Sequence, residues 1–402
     1  MNTPNAAAVP TNLWRPIVEA DFVGDLRRFA ARQIAPVADD IDRRDVYPLE
    51  IMKAMATAGY NTVTLESEYG GAGRSYRHAV TVFEEVSVAS AAVGISLITI
   101  FQAQTMLRLF GSDSLKQRYL PQFARGLISS YALTEAGHGS DIRSLDTKAR
   151  REGDEWIIDG EKSFITSGSA AEFFIILAET PTGVSVFAVP RDIQGLTSYE
   201  GTNSATFGLR NGPHVNIRLD GVRLPLDHLV GIEGKGVRQA VTVLDYSRTL
   251  AGAISLGIAR AAFEDALARA KGRVAFDQKI VEMQGIQWYF ADMLTEIDAA
   301  RLLVYAAAEA LERHDDIARY SSEAKLKACA MATEVAAKAV QICGAYGVTE
   351  NAPFGRYLRD AKAYEIAGGS AEVLKNTIAK YLLKTNIEPR TEQAIAVHRH
   401  QG

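Results

Sequence analysis

The spacing of apolar residues changes twice along this 402-residue chain, and that change limits the fold more than any single motif does. Up to about residue 130 the period is helical. In residues 21–35, Phe22, Leu26, Phe29, Ala30 and Ile34 recur at three- and four-residue steps and mark one buried face, which Pro36 breaks or kinks. Helices also fit 49–58, 78–89 and 98–110. From about residue 130 the texture becomes short apolar runs bounded by turn residues, at 156–159, 173–178 and 184–189. Val215, Ile217 and Leu219 alternate with Asn216, Arg218 and Asp220, the pattern of a half-buried strand, and Asp220-Gly221 reads as a tight turn after it. Past Gly236 the helical period returns over 244–270, 281–313, 322–343 and 371–384, and four such helices suggest an antiparallel bundle. The expected class is α+β, in three domains: helical 1–130, β 131–240 and helical 241–402.

Composition narrows the function classes. Forty-four Lys and Arg against 48 Asp and Glu give a net charge of −4, without the basic footprint that phosphate contacts require, so a nucleic-acid partner is not expected. No cationic amphipathic helix points to a membrane surface, and the apolar runs look too short to span a bilayer. Residues 1–13 carry no Lys or Arg and no apolar core, unlike a secretory or transit signal. Cys329 and Cys343 form no CxxC pair, which excludes a disulfide framework and fits a reducing, cytoplasmic setting. Gly71-Ala-Gly73 lacks the third glycine of a Rossmann fingerprint. P-loop, HExxH and GxSxG motifs are absent, and no metal site is expected.

Seven segments carry more specific information. They are Tyr131-Ala-Leu-Thr-Glu-Ala-Gly-His-Gly-Ser-Asp141, Gly160-Glu-Lys-Ser-Phe-Ile-Thr-Ser-Gly168, Leu244-Asp-Tyr-Ser-Arg248 and Arg273-Val-Ala-Phe276. Gln341-Ile-Cys-Gly-Ala-Tyr-Gly347, Arg359-Asp-Ala-Lys362 and Glu365-Ile-Ala-Gly-Gly-Ser-Ala-Glu372 complete the set. In this order and spacing, from about residue 15 to 385, the chain resembles the acyl-CoA dehydrogenase flavoproteins. The resemblance implies an N-terminal helical domain, a middle β barrel and a C-terminal four-helix bundle, assembled as a homotetramer with one FAD per subunit. It implies an oxidoreductase acting on an acyl thioester of CoA or a carrier protein, with an electron-transferring flavoprotein as acceptor. Carried over by position, Leu133 and Thr134 would touch the isoalloxazine, Phe164 would pack on it and Thr166 would bond near N5. Arg273 would contact the pyrophosphate and Phe276 the adenosine part. Gln341 and Gly344 would receive the adenosine end from a neighbouring subunit, while Ser370 and Glu372 would lie around the cofactor. Ser140, Asp245 and Arg248 match positions that line the thioester and pantetheine channel.

The chain departs from that pattern at the catalytic base. Removing the α-proton of a thioester calls for a carboxylate over the α-carbon. Family members place this Glu at one of two positions, and here those hold Gly368 and Ser247. Serine is a poor base unless activated, so the catalytic residue is left unassigned, with Glu365 and the loop histidine His138 as weak substitutes. Ala136 and Ala345 replace a usual Pro and Gly. Three readings stay open: thioester α,β-oxidation with a non-standard base, a non-dehydrogenating flavoenzyme, or a catalytically silent FAD-binding subunit. The second would cleave a β-carbon–sulfur bond, as a sulfinopropionyl-CoA desulfinase does, or act as a flavin-dependent oxygenase.

Overall fold

The computed structural model describes residues 13–385; residues 1–12, read above for targeting signals, and 386–402 of the expected third domain lie outside the described residues. Six helices come first: α1 (Ala20–Phe29), α2 (Ala38–Arg44), α3 (Leu49–Thr57), α4 (Tyr76–Ala89), α5 (Ala91–Phe110) and α6 (Asp113–Ala124). Pro36 does not cut the first helix off. A π turn over Ala30–Ile34 and a 3-10 turn over Ala35–Val37 carry the chain into α2. Helix α5 starts seven residues before its predicted beginning, directly after Ser90 turns the chain in extended backbone. It is apolar nearly all round, so it lacks the one-sided stripe that periodicity detects. By length and hydropathy alone α5 is long and apolar enough to cross a bilayer, unlike the uninterrupted runs counted in the sequence, but 78% of its apolar window is buried, as in the core helix of a globular protein. The unpredicted α6 has a short stripe (Leu115, Tyr119, Leu120, Phe123) interrupted by Pro121, and Ser112 caps it by accepting the Leu115 N–H at 3.2 Å.

Seven strands form one curled sheet: β1 (Ser129–Ala132), β2 (Lys148–Glu152), β3 (Glu155–Ile165), β4 (Phe173–Thr180), β5 (Gly183–Pro190), β6 (Leu196–Tyr199) and β7 (Val215–Pro225). Their order is β1-β4-β2-β3-β7-β6, with β5 paired to β4. Along β4, Phe173, Ile175 and Leu177 join the helical core, whereas Phe174, Ile176 and Ala178 fill a second core inside the sheet. Burial on both faces explains why this strand reads as a continuous run. Asp220-Gly221 is not a hairpin turn. It is a bulge inside the single long strand β7, where both residues face Asp159 of β3, and Gly221 (φ +62°) donates its N–H to Asp159 Oδ1 at 2.7 Å. The extra residue restores alternation, so Leu219 and Val222 both point inward.

The C-terminal helices are α7 (Gly236–Gly272), α8 (Gln284–Arg313), α9 (Ile317–Cys343), α10 (Phe354–Ile366) and α11 (Ala371–Lys384), with a hairpin of β8 (Val274–Ala275) and β9 (Gln278–Lys279) after α7. The bundle differs from expectation in its fourth member. Helix α10, not α11, packs on both α7 and α9, and α11 lies against α9. Its buried face, Phe354, Tyr357, Ala361 and Tyr364, is half tyrosine and runs among charged residues, so no apolar stripe announces it. Both cysteines are free and buried.

Two polar joints hold these parts together. At the first, the buried Arg260 of α7 binds Glu84 (2.7 Å) and Glu85 (3.0 Å) of α4, Arg301 of α8 also reaches Glu84 (3.0 Å), and Arg27 of α1 reaches Glu85 (2.7 Å). At the second, the buried Asp360 of α10 accepts the Leu209 N–H at 2.6 Å, and Arg359 bonds both Asp42 and the Phe207 carbonyl. Burial pushes the Asp360 carboxyl up to about 6. An unfolded chain releases that proton near pH 4, so folding loses stability as pH rises from about 4 to about 6, by on the order of 3 kcal/mol. Asp360→Asn is expected to flatten that slope in urea unfolding measured from pH 4 to 7. An unchanged slope in the variant would show that Asp360 does not titrate in this window.

Candidate active site

Three groups of predicted residues emerge, and among the described residues no hydrogen bond joins one group to another. The first is built on β1 and β3. A break in register between Lys162 and Ile165 puts Phe164 at φ +56° and throws its ring off the sheet, 49% exposed. Beneath it the two strands are tied: the Ser163 N–H donates to the Thr134 carbonyl (2.9 Å), and Ser130 Oγ donates to the Thr166 carbonyl (2.6 Å). The deeper anchor is a buried ion pair that the sequence reading passed over, although both members lie in its quoted motifs. Lys162 Nζ donates to Glu135 Oε1 at 2.7 Å, and Glu135 also accepts the Asp146 and Thr147 N–H groups. Burial opposes ionisation of Glu135, but Lys162 together with the Thr147 and Asp146 N–H groups outweighs it and holds the carboxyl below its usual range. Leu133 is half-buried beside this pair, its carbonyl 3.4 Å from Lys162 Nζ. His138 is held on the outer loop, 3.5 Å from Asp146, and Ser140 and Ala136 are exposed.

The second group lies where α7 meets the turn between α10 and α11. Asp245 and Arg248 are buried and paired at 2.6 Å. Burial raises the Asp245 carboxyl, with Arg248 opposing. Gly368 (φ +71°) and Gly369 (φ +117°) form the turn, and a Cβ on Gly369 would sit 3.7 Å from both Nε and Nη2 of Arg248. Lys325 of α9, wholly buried and unpredicted, donates to the carbonyls of Tyr364 (3.1 Å) and Gly369 (2.8 Å), which fixes the turn. Lys325 is one of three lysines on an Ala-rich helix, and nothing in the sequence singles it out for such a role. Ser370 is the N-cap residue just before α11, whose first turn holds the exposed Glu372. Neither the side chain at the usual base position, Ser247, nor the substitute Glu365 is free of a partner here. Ser247 Oγ donates to the Leu244 carbonyl at 3.1 Å, and Glu365 bonds Lys362 at 2.6 Å.

In the third group, Arg273 lines a cavity of about 570 Å³ together with Arg269, Tyr346 and Phe354 among others. Phe276 and Asp277 turn the β8–β9 hairpin at positive φ, which leaves the Phe276 ring 90% exposed. Gln341 and Gly344 end α9 beside Tyr346. Both are exposed, as is Ala345, and a Cβ on Gly344 would meet open space.

Family models now bear on this geometry. The N-terminal, middle and C-terminal domains of acyl-CoA dehydrogenase match residues 18–127, 130–222 and 234–383. The chain belongs to the acyl-CoA dehydrogenase family. A probable acyl-CoA dehydrogenase of Mycobacterium leprae is 35% identical over 367 residues, spanning 89% of this chain and 94% of that protein. The butyryl-CoA dehydrogenase structure of Megasphaera elsdenii superposes with a TM-score of 0.89 at 30% identity, covering 93% of this chain and all of the other. A glutaryl-CoA dehydrogenase of Mycobacterium smegmatis, solved in complex with FADH2, gives 0.85 at 25% identity, covering 92% and 95%. As an acyl-CoA dehydrogenase family member, the chain has the α+β fold expected of it and belongs to a family of FAD-binding oxidoreductases.

Proposed function

We propose that this chain is an FAD-dependent oxidoreductase acting on an acyl thioester of CoA or a carrier protein, with an electron-transferring flavoprotein as acceptor and a homotetramer as its working form. What carries the reading is the pair of exposed aromatic rings held out by strained backbone. A non-glycine residue in left-handed backbone costs roughly 1–2 kcal/mol, and Phe164 and Phe276 accept that cost to present rings to open space. A flat cofactor fits both: Phe164 against an isoalloxazine with Leu133, Thr134 and Thr166 around it, Phe276 against an adenosine. The cavity beside Arg273 suits a pyrophosphate, whose oxygens match a guanidinium. Gln341 and Gly344 would meet an adenosine end, and Ser370 and Glu372 the flavin side.

When bound, FAD would supply the hydride acceptor for a thioester's β-carbon. This chain's part is to orient the thioester, with the Asp245–Arg248 pair lining its path and Ser140 at the mouth. The proton step is where the chain is atypical, since neither Ser247 nor Gly368 offers a carboxylate. That favours, as a second reading, a related flavoenzyme reaction that needs no α-proton removal, such as β-carbon–sulfur cleavage. The test is to confirm FAD in the purified protein and mix it anaerobically with saturated acyl-CoA thioesters. Loss of flavin absorbance supports oxidation. No loss, with product from a β-sulfur thioester, supports the second reading. No response to any thioester refutes both.

Lys162→Met removes the anchor under Leu133 and Thr134. It is expected to weaken FAD retention roughly 5- to 150-fold, about 1–3 kcal/mol, read from flavin fluorescence released on dilution. Wild-type retention would mean that the ion pair does not shape the flavin cradle.

A further inference from the structure

We propose that the acyl group of this chain's substrate carries an anion of its own, in the simplest case a carboxylate, and that the free edge of Arg248 receives it. The proposal rests on the thioester reading above and names the substrate class within it. Arg248 spends Nη1 on Asp245 Oδ1. Its other edge is unused: Nε is buried without a hydrogen-bond partner, and no described residue accepts from Nη2. The side chain is only 6% exposed, so water compensates little. An Nε–Nη2 edge is the fork that grips a carboxylate through two parallel hydrogen bonds. Here it faces the Gly368–Gly369 turn, with both Nε and Nη2 at 3.7 Å from where a Gly369 Cβ would stand.

The local charge balance points the same way. Lys325 approaches the turn from α9 with its Cε 3.9 Å from the position of a Gly368 Cβ, and its hydrogen-bond partners are carbonyls, not carboxylates. Of these two buried cations, Arg248 has one carboxylate partner, Asp245, and Lys325 has none in hydrogen-bond contact; Glu365 acts on Lys325 only through space while it is bonded to the exposed Lys362. A buried charge is costly unless paired. No side chain of this turn supplies the missing anion, because two glycines occupy it, and Ser247 on the facing helix is neutral. Gly368 is exposed, so the turn that Arg248 faces is open to solvent on its outer side. A carboxylate arriving on the acyl chain would complete the pairing and select that substrate over a neutral one.

The test is isothermal titration of the FAD-loaded protein with succinyl-CoA and glutaryl-CoA against butyryl-CoA and pentanoyl-CoA. At least one carboxyacyl-CoA is expected to bind about ten- to a hundredfold tighter than its neutral counterpart, the range for a charged hydrogen-bonded contact. Gly368→Glu, which would place a carboxylate at the turn beside these cations, is expected to abolish the preference, while Gly368→Ala retains it. Equal or tighter binding of the neutral thioesters by the wild type would overturn the proposal and leave the thioester reading standing. So would a preference that survives Gly368→Glu. Absence of binding by all four would overturn both.

Discussion

Replacing Arg260 with Ala is expected to cost about 3–5 kcal/mol of stability, the range seen when one partner of a buried ion network is removed. The guanidinium is 2% exposed and lies between Glu84 and Glu85, which are 1% and 5% exposed. Its loss leaves two carboxylates in the core with Arg301, Arg27 and the Tyr305 hydroxyl (2.8 Å from Glu84) as remaining partners. These cannot reproduce its bridging position between α4 and α7. Arg260 also stacks over the Trp14 ring at 5.3 Å, so truncation loses packing as well as charge. Arg27→Ala is the matched control. Its side chain is 26% exposed, and water replaces part of what it gives, so a smaller loss is expected. Guanidinium unfolding followed by circular dichroism compares the two. A loss below about 1 kcal/mol for Arg260→Ala would mean that the remaining cations neutralise the site unaided.

That network also marks where sequence reading runs out. Helix–sheet–helix order was legible because long one-sided stripes and short bounded runs have different periods, and α7, α8, α9 and α11 were found within a few residues except at the start of α7. Helices α2, α5, α6 and α10 were cut short or missed for a common reason: their buried faces are not simple apolar stripes. The bulge in β7 was illegible because Asp-Gly has the same local preference in a bulge and in a turn, and only the partner strand decides between them. The residues proposed to meet the cofactor, such as Phe164, Arg273 and Phe276, stand out through motif spacing. Their supports do not. Lys325 and Arg260 draw their roles from carbonyls and carboxylates dozens or more than a hundred positions away, and no local pattern encodes such a pairing.

The second large effect concerns the base. Ser247→Glu is expected to raise the rate of flavin reduction by butyryl-CoA by about 10²–10⁴-fold, the usual contribution of a positioned general base. Position 247 suits the change better than 368. Ser247 lies inside the long helix α7 with ordinary helical neighbours, whereas Gly368 sits at φ +71°, where a side chain adds roughly 1–2 kcal/mol of backbone strain. Ser247 is 5% exposed, so the larger residue should cost about 1–3 kcal/mol of stability through crowding. Burial should also raise the new carboxyl's pKa, so the gained rate should climb with pH through that range and then level off, as for a base that must lose its proton first. Anaerobic single-turnover mixing reads the rate directly, with FAD content and circular dichroism confirming that the variant is intact. An intact variant with no gained rate at any pH would mean that the reaction is not limited by the missing carboxylate. The flavin would then serve a chemistry in which no α-proton leaves, and the glycine turn would be an adaptation to that substrate, not a lost base.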